Sequence, residues 1–235
     1  MSQSAPTPDE SPINGLDFAP EWAGTNVFLA CEPVRDRTSE LQEQELAYIQ
    51  RSMELRRNTF STGRASARVA LANAGIEPVA LLRLEDGSVQ WPDGIIGSIT
   101  HTDYWAVSAV ALSAMTEATA IGIDLEPIRA LDQGVIELIA TSEERDEIAD
   151  QASPAWHATA LFSLKESIYK CLRPSYGQFI EFHDVQIKGV ASGRPELRFI
   201  SRDLLRRYNE NKLHLRMAVT HDHVFTLVWL HQDHS

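Results

Sequence analysis

At 235 residues and 43% hydrophobic content the chain is long and apolar enough for one large globular domain or two small ones. Its net charge of −12 excludes general nucleic-acid binding, which needs basic surface to neutralise phosphates. No apolar run approaches the roughly 18 residues of a membrane span, and the opening residues hold neither the basic cluster nor the apolar segment of a signal peptide, so a cytoplasmic protein is expected.

Cys31 and Cys171 are too few for a disulfide framework and lack zinc-site spacing, so both read as reduced and structural. Residues 1–20, rich in Ser, Pro and acids, read as a flexible leader. A short strand, Val27 to Ala30, opens the fold. Leu41, Tyr48, Ile49, Ser52 and Met53 then recur at near-helical spacing, which predicts one helix capped by Ser39 and ending near Arg57. Phe60 to Leu71 predicts an alanine-rich helix stopped at Gly75. Arg64 and Arg68 share one of its faces at i and i+4, and with Arg56 and Arg57 they form a dense positive cluster. Such a cluster beside a helix start suits a phosphate or, equally, a solvated helix face.

Val79 to Leu84 reads as a strand leading to a turn at Asp86-Gly87. Strands are expected at Ile95 to His101, Trp105 to Leu112 and Ala118 to Leu125. His101 closes its strand in a small-polar setting, where it can donate to a phosphate oxygen or simply face water. Helical spacing returns from Val135, and Thr141 with Glu144 has capping-box spacing. Pro154 is placed in the first turn of a long helix running to about Leu172 and stopped by Arg173-Pro174. The remainder, Phe182 to Val190, Glu196 to Ile200, Leu213 to Thr220 and Val224 to His231, is strand-like, with a short helix at Arg202 to Tyr208 and a hairpin turn at Asp222. The pattern gives helix-then-strands twice. An α+β fold is expected, with two similar α/β halves in a pseudo-twofold arrangement, each a small mainly antiparallel sheet with helices, and a cleft between them. The halves are taken as residues 21–126 and 127–235.

Chemistry concentrates at two places. In Gly122-Ile123-Asp124-Leu125-Glu126, period-two alternation points Asp124 and Glu126 to one side of a strand. In Phe162 to Lys170, Glu166 and Lys170 fall one turn apart on one helix face. Three carboxylates brought together repel one another unless a hard divalent cation sits between them, and Mg²⁺ is commonly held by a few carboxylates plus substrate phosphate oxygens. Phosphate chemistry follows; an exposed helix ion pair and a solvated strand end are the plain alternative.

Asp-x-Glu after an apolar strand, followed by Lys-Glu-Ser-x-x-Lys on a helix, resembles the signature of the 4'-phosphopantetheinyl transferase superfamily. Phe60 to Leu71 resembles the Phe-x-x-Gly-Arg-x-x-Ala-Arg-x-Ala-Leu segment of its enterobactin and surfactin synthetase-activating type. Trp91 to His101 resembles that type's Trp-Pro-x-Gly-x-x-Gly-Ser-x-(Ser/Thr)-His. The ordered set spans about Arg56 to Lys170, roughly half the chain.

The resemblance implies a cytoplasmic, monomeric enzyme that moves the phosphopantetheine arm of coenzyme A onto a serine of an apo acyl, aryl or peptidyl carrier protein, releasing 3',5'-ADP. It implies that Asp124, Glu126 and Glu166 hold Mg²⁺, or Mn²⁺, against the coenzyme A diphosphate. Arg56 or Arg57, Arg64, Arg83 and His101 would contact the 3'-phosphate and neighbouring groups with Thr100 beside them, and Lys165 and Lys170 would face the diphosphate. Glu166, directly or through a metal-bound water, is the expected base, and Lys170 is expected to help the leaving group depart. Thr100 stands where the family often has serine. Asp86 precedes Gly87 where related sequences often carry a basic residue, leaving Arg83 as the nearest cation. Arg202, Arg206, Arg207 and Lys212 are the candidate basic residues for carrier docking. The competing readings are a metal-dependent phosphodiesterase or nuclease, and a carrier- or nucleotide-binding module without chemistry.

Overall fold

The computed structural model describes residues 11–13, 26–220 and 222–231, so the expected leader falls almost wholly outside the described residues. The chain divides into two compact units, residues 1–117 and 118–235. The sequence reading places residues 118–126 in the first half. The difference is one strand, β4 (Ala118–Pro127), which pairs along its whole length with the last strand, β8 (His223–His231), and so belongs to the second unit.

The first unit is a three-stranded antiparallel sheet, in the order β1 (Val27–Pro33), β3 (Trp105–Leu112), β2 (Ile95–His101), carrying one long helix, α2 (Glu54–Asn73). The helix is dense in small residues from Thr59 to Ala67, which lets it sit low on the sheet. Ser66 Oγ donates to the Ala30 carbonyl at 2.9 Å, and an added Cβ on Gly63 would meet Ile99 at 3.2 Å. Ala67, Ala70 and Leu71 close the core against Ala30, Val110 and Ile95. Beyond the helix, Gly75 takes φ +79°, and the Gly75 and Ile76 amides donate back to Ala72 and Leu71, a Schellman-type stop.

The helix expected from Ser39 to Arg57 is not formed. A 3-10 turn (Thr38–Glu40) and a one-turn α1 (Glu43–Leu46) precede an irregular stretch, and Arg56 and Arg57 lie in α2. The cause is Glu45, which is fully buried and accepts from the amides of Gln42 and Leu81 and from Arg68. The chain wraps around that carboxylate, and Leu41 and Ile49 pack on Phe60 in a small satellite core. Val79 to Leu84 is extended but makes only a single bridge, Arg83 to Val89, around the Asp86-Gly87 turn.

The second unit repeats the helix-on-sheet plan. The sheet order is β4, β8, β7 (Leu213–Val219), all antiparallel, and the helix is α5 (Pro154–Tyr176). Leu161, Leu164, Ile168 and Leu172 of α5 are fully buried with Val224 and Val228 of β8 and Leu215 of β7. At about 1.5–3 kcal/mol per buried side chain, this seam dominates the unit's stability. Before α5 come α3 (Gln133–Ile139) and α4 (Ser142–Ala149), the latter opened by the expected Thr141–Glu144 capping box. After it come the hairpin strands β5 (Val185–Lys188) and β6 (Glu196–Phe199) and the short α6 (Arg202–Arg207). The α5 helix runs through Pro174 and stops at Gly177, which adopts φ +71° and donates to Arg173 O. In the last turn a proline removes only one helical bond, which is why Arg173-Pro174 does not end the helix.

Two main chains come close at Gly122 of β4. A Cβ added there would lie 2.0 Å from the Ser167 carbonyl oxygen and 2.5 Å from the Cys171 nitrogen, both in α5. One strand apart, Thr226 of β8 donates to Ser163 O at 3.0 Å, while Ser163 and Ser167 place their hydroxyls 2.9 and 2.7 Å from its own. Gly122→Ala therefore forces α5 off the strand. Overpacking of this kind costs about 1–3 kcal/mol, or a fall of roughly 2–4 °C in Tm per kcal/mol for a chain of this size; thermal unfolding followed by circular dichroism checks it.

Candidate active site

The α5 contact fixes what stands beside β4. Asp124 is paired with Thr226, the residue that both α5 serines grip, and Gly122, Asp124 and Glu126 alternate onto the same face of the strand. On α5, Glu166 and Lys170 share a face with Ser163 and Ser167 at i, i+3, i+4 and i+7. The result is that Lys170 Nζ donates to Asp124 Oδ1 at 2.6 Å, with Asp124 only 3% exposed. Glu126 and Glu166, both half-buried, complete the group.

The electrostatics show the three carboxylates acting on one another. Burial first, then the Asp124 charge and a smaller push from Glu166, raise the Glu126 pKa to about 7 against the opposing charges of Lys170 and Arg129. Glu166 is also raised, first by burial and then by Asp124, against Lys170. A divalent cation relieves this kind of repulsion. Among the described residues no three His, Cys, Asp or Glu side chains are drawn close enough to cage a metal unaided. The donor set fits the Mg²⁺ pattern of few carboxylates completed by substrate phosphate and water.

Lys165 departs from the sequence reading. It is 2% exposed, and its ammonium donates to Glu144 Oε2 at 2.7 Å, Ile139 O at 2.8 Å and Phe182 O at 2.9 Å. One residue along a helix is about 100° of rotation, so Lys165 turns into the unit's interior while Glu166 faces β4. With all three donors engaged inside the unit, Lys165 turns away from the diphosphate contact expected of it. Beside Glu166 and Lys165 opens an apolar cavity lined by Ile168, Tyr169, Phe179 and Phe182. Phe179 is 66% exposed and lies 5.6 Å from the Tyr169 ring.

The arginines of the first unit gather as the sequence suggests. Arg56 and Arg83 are both exposed, and the Arg56 pKa is lowered by burial and by the nearby Arg83 charge. Arg57 is half-buried and donates to Ser52 O. Arg64 is 6% exposed, donates from Nε to Leu81 O at 2.8 Å and stacks 4.6 Å from the Phe60 ring centre. Burial pulls its pKa down to about 10. It holds the Leu81 segment that leads to Arg83 and so sits in the cluster as a buried, engaged cation. Thr100 is buried and His101 exposed at the end of β2. Glu144, Gly122, Thr226 and the cavity aromatics were not singled out as site residues in the sequence; the Ser163/Ser167 pair, a small polar stripe on Glu166's face, was their one visible sign.

Residues 42–111 match the family model of the 4'-phosphopantetheinyl transferase N-terminal domain, and residues 120–228 match that of the 4'-phosphopantetheinyl transferase superfamily. The chain is 36% identical over 171 residues to the 4'-phosphopantetheinyl transferase Svp of Streptomyces mobaraensis, an alignment covering 72% of this chain and 68% of that one. It is 36% identical to Npt of Nocardia iowensis, over 59% of this chain and 62% of that protein. It is 34% identical to PptT of Mycobacterium tuberculosis, over 61% and 63%. The last two alignments thus span under two thirds of their relatives' lengths.

The Glu126 shift has a stability consequence. Its folded pKa lies above the ordinary value of 4.5, so ionising it costs folding free energy that is absent below about pH 4.5 and complete above about pH 7. Glu126→Gln removes that cost. After allowance for solvent screening the gain at pH 8 is about 1–2 kcal/mol, or roughly 2–8 °C in Tm, and it vanishes at pH 4.5. Melting curves of metal-free parent and variant at the two pH values check it.

Proposed function

The chain belongs to the 4'-phosphopantetheinyl transferase superfamily, and we propose that it moves the 4'-phosphopantetheine arm of coenzyme A onto a serine of an apo acyl, aryl or peptidyl carrier protein, releasing 3',5'-ADP. The observation that carries this reading to the level of residues is the convergence of Asp124, Glu126, Glu166 and Lys170 between β4 and α5.

Asp124, Glu126 and Glu166 are the residues to hold Mg²⁺ against the coenzyme A diphosphate. The ion, when bound, supplies charge neutralisation and polarisation of the phosphoryl oxygens. Glu166, directly or through a metal-bound water, would accept the serine proton as the serine oxygen bonds to the β-phosphorus. The bond from that phosphorus to the bridging oxygen breaks, and its electron pair leaves with 3',5'-ADP. Lys170, which bridges to Asp124, would offset charge building on the leaving phosphate. The apolar cavity beside Glu166 suits the pantetheine arm, whose methyl groups and methylenes follow directly from the diphosphate. Arg56, Arg57 and Arg83, with Thr100 and His101, are assigned the 3'-phosphate, and Arg64 supports Arg83 through Leu81. The negative net charge leaves carrier docking to apolar contacts and to local basic groups such as exposed Arg202, Arg206 and Arg207 and half-buried Lys212. The reaction is placed in the cytoplasm, with a monomer sufficient.

The deciding experiment is intact-mass analysis of apo carrier proteins incubated with the protein, Mg²⁺ and coenzyme A, in which the carrier gains the mass of the arm. Glu166→Ala and Asp124→Ala each lower the rate by at least about 10²-fold, and chelation of the metal stops transfer. Parental rates in both variants reject the assignment.

A further inference from the structure

Lys165 and Glu144 form a buried ion pair that the reaction above does not use. The three ammonium donors meet three acceptors, and the pair is 2% exposed at each residue. Glu144 is as fully engaged as its partner. Its Oε2 also accepts from the Thr141 amide at 2.7 Å, and its Oε1 from the Ile187 amide at 2.8 Å. Through these bonds one point inside the unit joins the end of α3, the start of α4, the Phe182 turn and β5 to the α5 residue next to Glu166.

A buried ion pair gives little net stability compared with apolar residues of the same volume, because desolvation offsets the attraction. A pair placed there points to another role. Three of the segments it joins, α5, the Phe182 turn and β5, wall the cavity: Lys165 and Phe182 line it directly, and so does Val185, two residues before Ile187 in β5. Phe182 O is held by Lys165 itself, which sets how far that turn stands from α5.

Resting on the reading that the cavity takes the pantetheine arm, we propose that the Lys165–Glu144 pair is a positioning device that fixes the cavity's width for that arm and makes no contact with phosphate or metal. Without the ammonium, the Phe182 turn loses its tie to α5 and the arm loses a fitted wall. The nucleotide part of coenzyme A is bound by other residues and is indifferent to the change.

The test is calorimetric binding of two ligands, coenzyme A and 3'-phosphoadenosine 5'-diphosphate, which keeps the diphosphate and lacks only the pantetheine arm. The proteins are the parent, Lys165→Met, and Lys165→Met with Glu144→Gln, the last removing both buried charges if the single variant folds poorly. In folded variants coenzyme A binding weakens about tenfold while the armless ligand stays within about twofold of the parent. Equal losses for the two ligands overturn the proposal in favour of a direct diphosphate contact, and unchanged coenzyme A affinity overturns it outright. A parent that binds coenzyme A no more tightly than the armless ligand removes the arm-binding reading, and the proposal with it.

Discussion

The second unit depends on a backbone-to-backbone contact. Gly122 lets the α5 main chain rest directly on β4, with no side chain between Ser167 and the strand. Everything chemical follows from that closeness. Residues two and four beyond the glycine on β4 are Asp124 and Glu126, and the helix residues flanking the contact are Glu166 and Lys170. A strand and a helix packed at ordinary side-chain distance would hold these four groups too far apart for Lys170 to bridge to Asp124.

The cost of that closeness is electrostatic. Three carboxylates share a partly buried site with one lysine, and Glu126 carries the burden as a carboxyl that titrates near neutrality. The first unit shows the inverse arrangement: Arg56 and Arg64 are held below the usual arginine range first by burial and then by neighbouring arginines, an effect that buried Glu45 tempers at Arg64. Both clusters are unfavourable within the protein alone, and each is of the sign that a ligand of opposite charge corrects. In a chain of net charge −12 the arginine cluster stands out as local design against the overall balance.

Much of this was legible in the sequence because it rests on local periodicity. Alternation put Asp124 and Glu126 on one side of a strand, and helical spacing put Glu166 with Lys170; neither needs tertiary information. The direction of Lys165 does, since a helix presents every azimuth and only the packing of α3, α4 and β5 decides which is interior. The burial of Arg64 is hidden for the same reason, its face being covered by the Leu81 segment. The missing helix before Arg57 reflects Glu45, a polar residue in a core that composition alone assigns to water. The continuation of α5 through Pro174 depended on the glycine three residues further on supplying the stop.

The hydroxyl contacts of Ser163 and Ser167 with Thr226 have a geometric meaning beyond holding the layers together. A strand advances about 3.3 Å per residue and a helix 1.5 Å with a turn of about 100°, so the two can be set against each other like the scales of a vernier, and apolar packing alone tolerates a slip. Two hydroxyls clasping one threonine admit a single azimuthal phase. The helix's greasy side can thus accept varied packing, provided that this clasp keeps the phase in which acid meets acid.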